Sequence, residues 1–319
     1  MAYDLTKRLV IGLSSSALFD LQESDNIFRT QGEEAYRKYQ HKMQDMPLDR
    51  GVAFPFISRL LKLNNIRPDD PLVEVILLSR NDPDTGLRVM NSIEHYNLGI
   101  TRAVFLQGKS PHIYIPAFDI ELFLSADHDD VLQAINANYP AGQILAGHVN
   151  DDDDDDDDDA DADELRIAFD FDGVIADDEA EVIYKTSGEL SQFHNHEAKM
   201  VDVPHNPGPL KKFLLRISDI QKLELEKVKQ DPTYIPLLKI SIVTARNAPS
   251  HKRVINTMRA WGISINEAFF MGGVEKANVL RILKPHIFFD DQKLHLKSSS
   301  ELPSVHIPFG IANKSIDNK

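Results

Sequence analysis

Two apolar segments that end in paired carboxylates constrain the fold of this chain most strongly. They are Phe-Asp-Phe-Asp-Gly-Val at 169–174 and His-Ile-Phe-Phe-Asp-Asp at 286–291. Each is typical of a buried strand that is followed at once by acidic side chains. Burying carboxylates costs free energy unless a cation gathers them, and Mg²⁺ prefers such oxygen ligands. Because α/β folds bind ligands at the carboxyl edge of their sheet, the two segments predict a metal-assisted site there.

A run of nine aspartates at 151–159 divides this chain of 319 residues. The surrounding segment, 150–164, is almost entirely Asp and Ala, so it cannot bury apolar surface and its like charges repel one another. We therefore predict an acidic linker at 150–164, between an N-terminal α/β domain at 1–149 and a second domain at 165–319. The alternative role for the run is weak binding of divalent cations or of a partner.

Composition excludes several classes of function. The formal net charge is −15, and setting aside the nine aspartates leaves −6 without a basic stripe, so polynucleotide binding is not expected. A small phosphate-bearing substrate remains compatible, because a local cation can offset the overall charge. The absence of cysteine excludes disulfides, thiolate zinc sites and cysteine nucleophiles. With no apolar segment of about 18 residues and no signal-like start, we expect a cytoplasmic protein without a membrane partner.

Strand and helix patterns alternate through the second half. Apolar β-type segments lie at 165–169, 239–243, 268–271 and 286–289, and helical patterns lie at 178–190, 209–229, 250–261 and 275–283. Strands separated by helix-length segments predict a Rossmann-like α/β fold, with a parallel sheet and right-handed crossovers.

The first half repeats this plan in weaker form. Three of its strand segments each precede a similar segment of the second half by 165 residues. A degenerate duplication explains this spacing, and the alternative is the general likeness of any two α/β halves. The first half has Ser14, Ser16 and Ser125 where the second half has Asp170, Asp172 and Asp290. A half without these carboxylates cannot hold the metal, so we predict that the first domain is a catalytically silent copy.

The spacing of Asp170 and Asp172 suits phosphoryl transfer. Gly173 lets the backbone turn sharply, so one carboxylate can face a substrate while the next reaches it from the side. Asp170 would attack phosphorus, and Asp172 would protonate the leaving oxygen and then activate water. The alternative is a strand-to-turn pair of aspartates without chemistry.

Three further residues are candidates for phosphate binding. Thr244 follows a buried strand and precedes a helix, so its hydroxyl and the adjacent amide of Ala245 can bind phosphate oxygens; a simple helix cap is the alternative. Lys276 could neutralise the phosphate and the nucleophile, although an isolated helical lysine is usually solvated. Arg246 either orients the substrate or lies on the surface.

Asp290 and Asp291 close the fourth strand of the second half. Like charges side by side cost free energy unless a divalent ion offsets them. The predicted Mg²⁺ ligands are Asp170, the carbonyl of Asp172, Asp290 and, directly or through water, Asp291. A surface turn is the alternative for this pair.

The order Asp-x-Asp, Thr, Lys, Asp-Asp resembles the haloacid dehalogenase-like phosphatase superfamily. Several short stretches of the sequence resemble the cytosolic type I 5′-nucleotidases more closely. The similar stretches are 168–174, 208–214, 243–246, 258–262 and 284–292 in the second half, and 14–20, 53–56 and 122–127 in the first. The Asp run is not part of that family's pattern.

This resemblance implies a Mg²⁺-dependent enzyme that hydrolyses nucleoside 5′-monophosphates through an aspartyl-phosphate. The segment at about 178–236 would form a small helical cap over the substrate. Its Phe193 could stack on the base, as could His194 or His196, and Phe54, Phe56 or Asn81 could contribute from the first half. The rivals are a phosphatase for another small ester and a non-catalytic nucleotide-binding scaffold. Oligomeric state stays open, a homo-oligomer included.

Overall fold

The computed structural model describes residues 3–145 and 163–313. The chain divides into two compact units, Met1–Asn150 and Asp151–Lys319. The predicted acidic linker lies outside the described residues except for its last two positions, 163 and 164. Within the described ranges, no helix combines the length and the apolar character that crossing a membrane requires.

The first unit contains a five-stranded parallel sheet. Its strands are β1 (Leu9–Leu13), β2 (Val73–Ser79), β3 (Arg102–Phe105), β4 (Leu122–Ser125) and β5 (Ala141–Ile144), in the order β3-β2-β1-β4-β5. The helices are α1 (Ser15–Leu18), α2 (Gln22–Gln31), α3 (Glu33–Lys42), α4 (Phe54–Lys62), α5 (Leu87–His95) and α6 (His128–Asn136), with 3₁₀ turns at Leu63–Ile66, Pro111–Tyr114 and Pro116–Phe118. Every residue of β1 and β2 is buried, as continuous apolar strands of a parallel sheet require.

The second unit also contains a five-stranded parallel sheet. Its strands are β6 (Leu165–Phe169), β7 (Leu238–Thr244), β8 (Glu267–Phe270), β9 (Ile287–Asp290) and β10 (Ser304–His306), in the order β10-β9-β6-β7-β8. The helices are α7 (Glu179–Ser187), α8 (Leu190–Lys199), α9 (Lys211–Gln230), α10 (His251–Trp261), α11 (Lys276–Leu283) and α12 (Lys293–Ser298). The predicted α/β fold with a parallel sheet is confirmed.

Both sheets have the same strand order. Counted within its own unit, each sheet runs third, second, first, fourth, fifth. The two units also share a helical insertion between their first and second strands, which comprises α2, α3 and α4 in the first unit and α7, α8 and α9 in the second. This likeness supports the predicted duplication.

Hydrogen bonds to a buried glutamate fix the segment that connects the helical insertion of the second unit to strand β7. Glu224 of α9 is fully buried, and its carboxylate accepts hydrogen bonds from the Tyr234 hydroxyl at 2.8 Å and from the Leu237 and Leu238 amides at 2.7 and 3.2 Å. Because both carboxylate oxygens are paired, burying Glu224 is tolerated and the start of β7 is held in position.

Candidate active site

Three predicted site residues lie at one edge of the second sheet. Asp170 directly follows β6, Thr244 is the last residue of β7, and Asp290 is the last residue of β9. Since β6 pairs in parallel with both β7 and β9, the carboxyl ends of all three strands meet at the same edge. All three residues are at most 4% exposed.

Lys276 joins two of these carboxylates. It begins α11, and its Nζ lies 2.7 Å from Asp170 Oδ2 and 2.7 Å from Asp290 Oδ2. Burial alone would lower the pKa of Lys276, but the negative charges of Asp170 and Asp290 raise it above its ordinary value. The solvated alternative for this lysine is therefore wrong, because its side chain is 1% exposed.

Burial and neighbouring charges have opposing effects on the pKa of the Asp170 carboxyl group. Its pKa is raised to about 7, mainly by burial; the charge of Lys276 opposes this rise, and the charge of Asp290 adds to it. Its Oδ1 accepts a hydrogen bond of 2.7 Å from the Phe171 amide. A carboxyl group whose pKa is shifted by burial and by neighbouring charges is typical of functional sites.

Asp291 is buried with no hydrogen-bond partner among the described residues for either carboxylate oxygen. Its pKa is raised to about 10, by burial first and then by the charges of Asp170 and Asp290. The close approach of Asp291 requires glycine at 173, which has φ of 72° and where a Cβ would lie 2.6 Å from Asp291 Oδ2. Such an orphaned carboxylate fits a metal ligand.

Two further carboxylates and a histidine form a possible ligand group for a divalent cation. Ligand atoms of Asp170, Asp290 and His295 lie within 4.8 Å of one another. Asp290 is already engaged, because it accepts hydrogen bonds from Lys276 at 2.7 Å and from the Gln292 amide at 2.7 Å. Asp291, whose carboxylate oxygens have no hydrogen-bond partner among the described residues, is therefore a better candidate than Asp290 for a direct cation ligand.

Asp172 forms a bidentate ion pair with Arg246. The Nε and Nη2 atoms of Arg246 donate to the two Asp172 carboxylate oxygens, both at 2.7 Å. Arg246 is only 4% exposed, so the surface alternative is wrong, and its guanidinium carbon lies 5.3 Å from the centroid of the Phe193 ring. Burial alone would lower the pKa of Arg246, but Asp172 and Glu197 raise it.

Glu197 ties this pair to the helical insertion. It lies on α8, is 1% exposed, and accepts hydrogen bonds from Arg246 and, at 2.8 Å, from Arg253. Burial opposes its ionisation, but the hydrogen bond from His205 and the charge of Arg246 lower the pKa of Glu197 to about 2. The sequence analysis missed Glu197, His205 and Arg253, since no motif or spacing marks them.

A pocket of about 410 Å³ opens beside these groups. Its lining includes the predicted residues Asp170, Asp172, Thr244, Ala245, Arg246 and Phe193. It also includes residues that the sequence analysis missed: Glu181, Tyr184, Lys185, Leu190, Asn247, Gln292 and His295. The structure thus places the predicted catalytic pair, two of the three predicted phosphate-binding residues and one predicted base contact around a single cavity, whereas Lys276, Asp290 and Asp291 are not part of its lining.

The remaining candidates for contact with the base are not among the residues that line this cavity. His194 Nε2 is 3.1 Å from the Asn247 amide oxygen, whereas His196 Nε2 is 3.6 Å from Glu179, so the two histidines have separate partners. In the first unit, Phe54 and Phe56 are buried on α4, and their contact with a substrate stays a prediction.

At the equivalent edge of the first unit, the predicted silent site has hydroxyls in place of carboxylates. Ser14 and Ser16 lie 3.2 Å apart between hydroxyl oxygens, and Ser125 accepts a hydrogen bond of 3.1 Å from the Asp127 amide. Asn81, which follows β2, accepts a hydrogen bond of 3.2 Å from the Tyr36 hydroxyl of α3. The three serines thus offer neutral hydroxyl groups where the second unit has the carboxylates of three aspartates.

Comparisons with known proteins agree with these features. A sequence model of the 5′-nucleotidase family matches residues 1–314. Human cytosolic 5′-nucleotidase 1B is 33% identical over 303 residues, which are 93% of this chain and 48% of that protein, so the chain spans about half the length of this curated relative.

Two solved structures give weaker matches. The UTR4 protein of Saccharomyces cerevisiae has 11% identity and a TM-score of 0.22, over 44% of this chain and 89% of its own. Histidinol dehydrogenase of Elizabethkingia anophelis has 7% identity and a TM-score of 0.21, over 89% of this chain and 73% of its own. Both scores are too low to support an argument about fold or function.

Proposed function

The chain belongs to the 5′-nucleotidase family, and from this premise we propose that it hydrolyses nucleoside 5′-monophosphates to a nucleoside and inorganic phosphate. The observation that carries the proposal is the buried cluster of Asp170, Lys276, Asp290 and Asp291, of which Asp170 lines a cavity together with Asp172 and Thr244. This arrangement offers a nucleophile, cations for a phosphate and an acid/base group within one site.

The orphaned carboxylate of Asp291 supports Mg²⁺ as the cofactor. Asp170, the carbonyl of Asp172 and Asp291 would hold the ion, with Asp290 adjacent. When bound, Mg²⁺ would neutralise charge on the phosphoryl oxygens and on the nucleophile.

The chain's own residues divide the reaction between them. The Asp170 oxygen attacks phosphorus and forms an aspartyl-phosphate, while Lys276 favours the ionised carboxylate that this attack requires. The Thr244 hydroxyl and the Ala245 amide bind phosphate oxygens. Asp172, with one oxygen released from Arg246 and protonated, would donate a proton to the leaving 5′-oxygen and then accept a proton from the water that hydrolyses the aspartyl-phosphate.

The insertion between β6 and β7 would serve as the helical cap of a haloacid dehalogenase-like phosphatase. Tyr184, Leu190 and Phe193 give the pocket apolar and aromatic surface suited to a nucleobase. The first unit would be the silent copy. The name of the human relative supports a cytosolic location.

A phosphate-release screen tests this function. Nucleoside 5′-monophosphates, sugar phosphates and a chromogenic aryl phosphate are compared with Mg²⁺ and with a chelator. We expect strong preference for nucleotides and loss of turnover in the chelator. Equal or better rates with sugar phosphates would identify a phosphatase for another ester. No turnover of any ester, with retained nucleotide binding, would identify a scaffold.

We predict that Arg246→Lys lowers kcat about 10- to 100-fold, because lysine cannot form the bidentate pair that positions Asp172. The matched control is Arg253→Lys, which alters the other partner of Glu197 without contacting Asp172. Steady-state kinetics and thermal melting are measured for both variants. Equal losses of kcat in the two variants would mean that the network only stabilises the fold.

A further inference from the structure

We propose that Glu181 binds a hydroxyl group of the substrate's sugar, 2′ or 3′, and so makes the site selective for nucleotides that carry it. This inference rests on the proposed function, because it assigns the part of the substrate next to the phosphate. Glu181 lies in the first turn of α7 and lines the same cavity as Asp170 and Asp172.

The two oxygens of the Glu181 carboxylate differ. Oε1 accepts a hydrogen bond of 3.1 Å from the Gln292 side-chain amide and lies 2.9 Å from Lys185 Nζ. Oε2 is buried and has no hydrogen-bond partner among the described residues. A buried acceptor without a donor is unfavourable, so this oxygen is suited to a donor that a ligand brings.

The fully buried glutamates of this unit are satisfied, whereas Glu181 is half-buried. Glu197 and Glu224 have hydrogen bonds to both carboxylate oxygens. Among the described residues of the second unit, buried carboxylate oxygens without a partner occur only at Asp291 and Glu181. Asp291 lies within the acidic cluster that fits a cation, which leaves Glu181 as the residue that has an orphaned carboxylate oxygen and also lines the cavity.

The chemistry of Glu181 favours a sugar hydroxyl over the phosphate. A carboxylate repels a phosphate but accepts hydrogen bonds from a vicinal diol, as acidic residues do for ribose in dinucleotide-binding folds. Lys185 offsets part of the charge, which keeps Glu181 compatible with an anionic substrate. With the phosphorus at Asp170, the sugar is the next group along the substrate, so it enters the cavity that Glu181 lines.

Four nucleotides with one base test the proposal: the ribonucleotide and its 2′-deoxy, 3′-deoxy and 2′,3′-dideoxy analogues. We expect wild-type kcat/KM to fall about 10- to 100-fold when the recognised hydroxyl is removed, as for a hydrogen bond to a charged group. Glu181→Ala should bring this ratio close to one. Glu181→Gln should keep part of it, because the amide oxygen still accepts.

A control variant separates sugar contact from structural damage. Lys185→Met removes a partner of Oε1 but not of Oε2, so it should preserve the ratio even if absolute rates change. A wild-type enzyme that hydrolyses the dideoxynucleotide as well as the ribonucleotide would overturn the proposal. So would a higher Mg²⁺ requirement of Glu181→Ala shared equally by all four substrates, since that result indicates a water-mediated contact to the metal.

Failure of the proposed function gives a different result. If wild-type protein releases phosphate from none of the nucleotides, calorimetric binding of the same four compounds to Asp170→Asn protein tests the sugar contact alone. Weaker binding of a deoxy analogue, abolished as a difference by adding Glu181→Ala, supports the inference. Equal binding of all four compounds overturns it.

Discussion

Asp170→Asn should lower the rate of phosphate release from nucleotides at least about 10³-fold, because an amide cannot form the aspartyl-phosphate. Asn has nearly the same shape, so the loss belongs to chemistry rather than to folding. Phosphate release under saturating substrate and Mg²⁺ measures the effect. Turnover within tenfold of wild type would remove Asp170 from the role of nucleophile.

The same substitution should stabilise the protein in a chelator at pH 8. Burial raises the pKa of Asp170 from 3.8 to about 7. The folded state therefore binds a proton more tightly than the unfolded state, and stability is lost as the pH rises through this interval. At pH 8 wild-type Asp170 is charged at a cost that Asn does not carry, so the melting temperature of the variant is higher.

Asp172→Asn is the matched control for this stability effect. Asp172 lies two residues away, but its carboxylate accepts two hydrogen bonds from Arg246, so its loss leaves Glu197 as the only carboxylate that pairs with this buried guanidinium among the described residues. We expect its melting temperature to fall while that of Asp170→Asn rises. Calorimetry of both variants in the chelator distinguishes the two carboxylates, and a shift of the same sign in both would contradict the electrostatic account.

Much of this fold follows from local patterns in the sequence. The predicted strands at 165–169 and 239–243 correspond to Leu165–Phe169 and Leu238–Thr244, because uninterrupted apolar segments have one stable place in a parallel sheet. The short strand Ser304–His306 was not predicted. With three residues it has too little periodicity to stand out, and its pairing with β9 sets its conformation.

The candidate site also contains some residues that could be predicted from the sequence and others that could not. Asp170, Thr244 and Asp290 could be predicted, since each ends a strand and parallel strands bring their ends together. The family resemblance found from these motifs is confirmed by the match over residues 1–314. Glu197 and Glu181 could not be predicted, because their burial depends on how the insertion packs onto the sheet edge. Long-range packing leaves no spacing signature in a polar helix.

Lys276→Met should lower the free energy of unfolding by about 3–5 kcal/mol in a chelator at pH 8, the usual cost of removing one partner from a buried ion pair. The lysine lies 2.7 Å from both Asp170 and Asp290, and Met leaves those buried carboxylates without their cation. Burial alone would raise the pKa of Asp290, but the charge of Lys276 and the contacts of His295 lower it. Denaturant unfolding measures the change. Added Mg²⁺ should restore part of the loss, because an ion that binds only the folded state stabilises it.

A double-mutant cycle separates this electrostatic effect from lost packing. In Lys276→Met/Asp170→Asn one of the two stranded carboxylates is gone, so the double variant should be more stable than Lys276→Met alone. Arg281→Met is the control on the same helix: its pair with Glu301 is about half exposed on both sides and should contribute under about 1 kcal/mol. If the double variant loses as much stability as the single, Lys276 contributes through packing. In that case the positive charge of Lys276 would not be what allows the carboxylates of Asp170 and Asp290 to be buried in this fold.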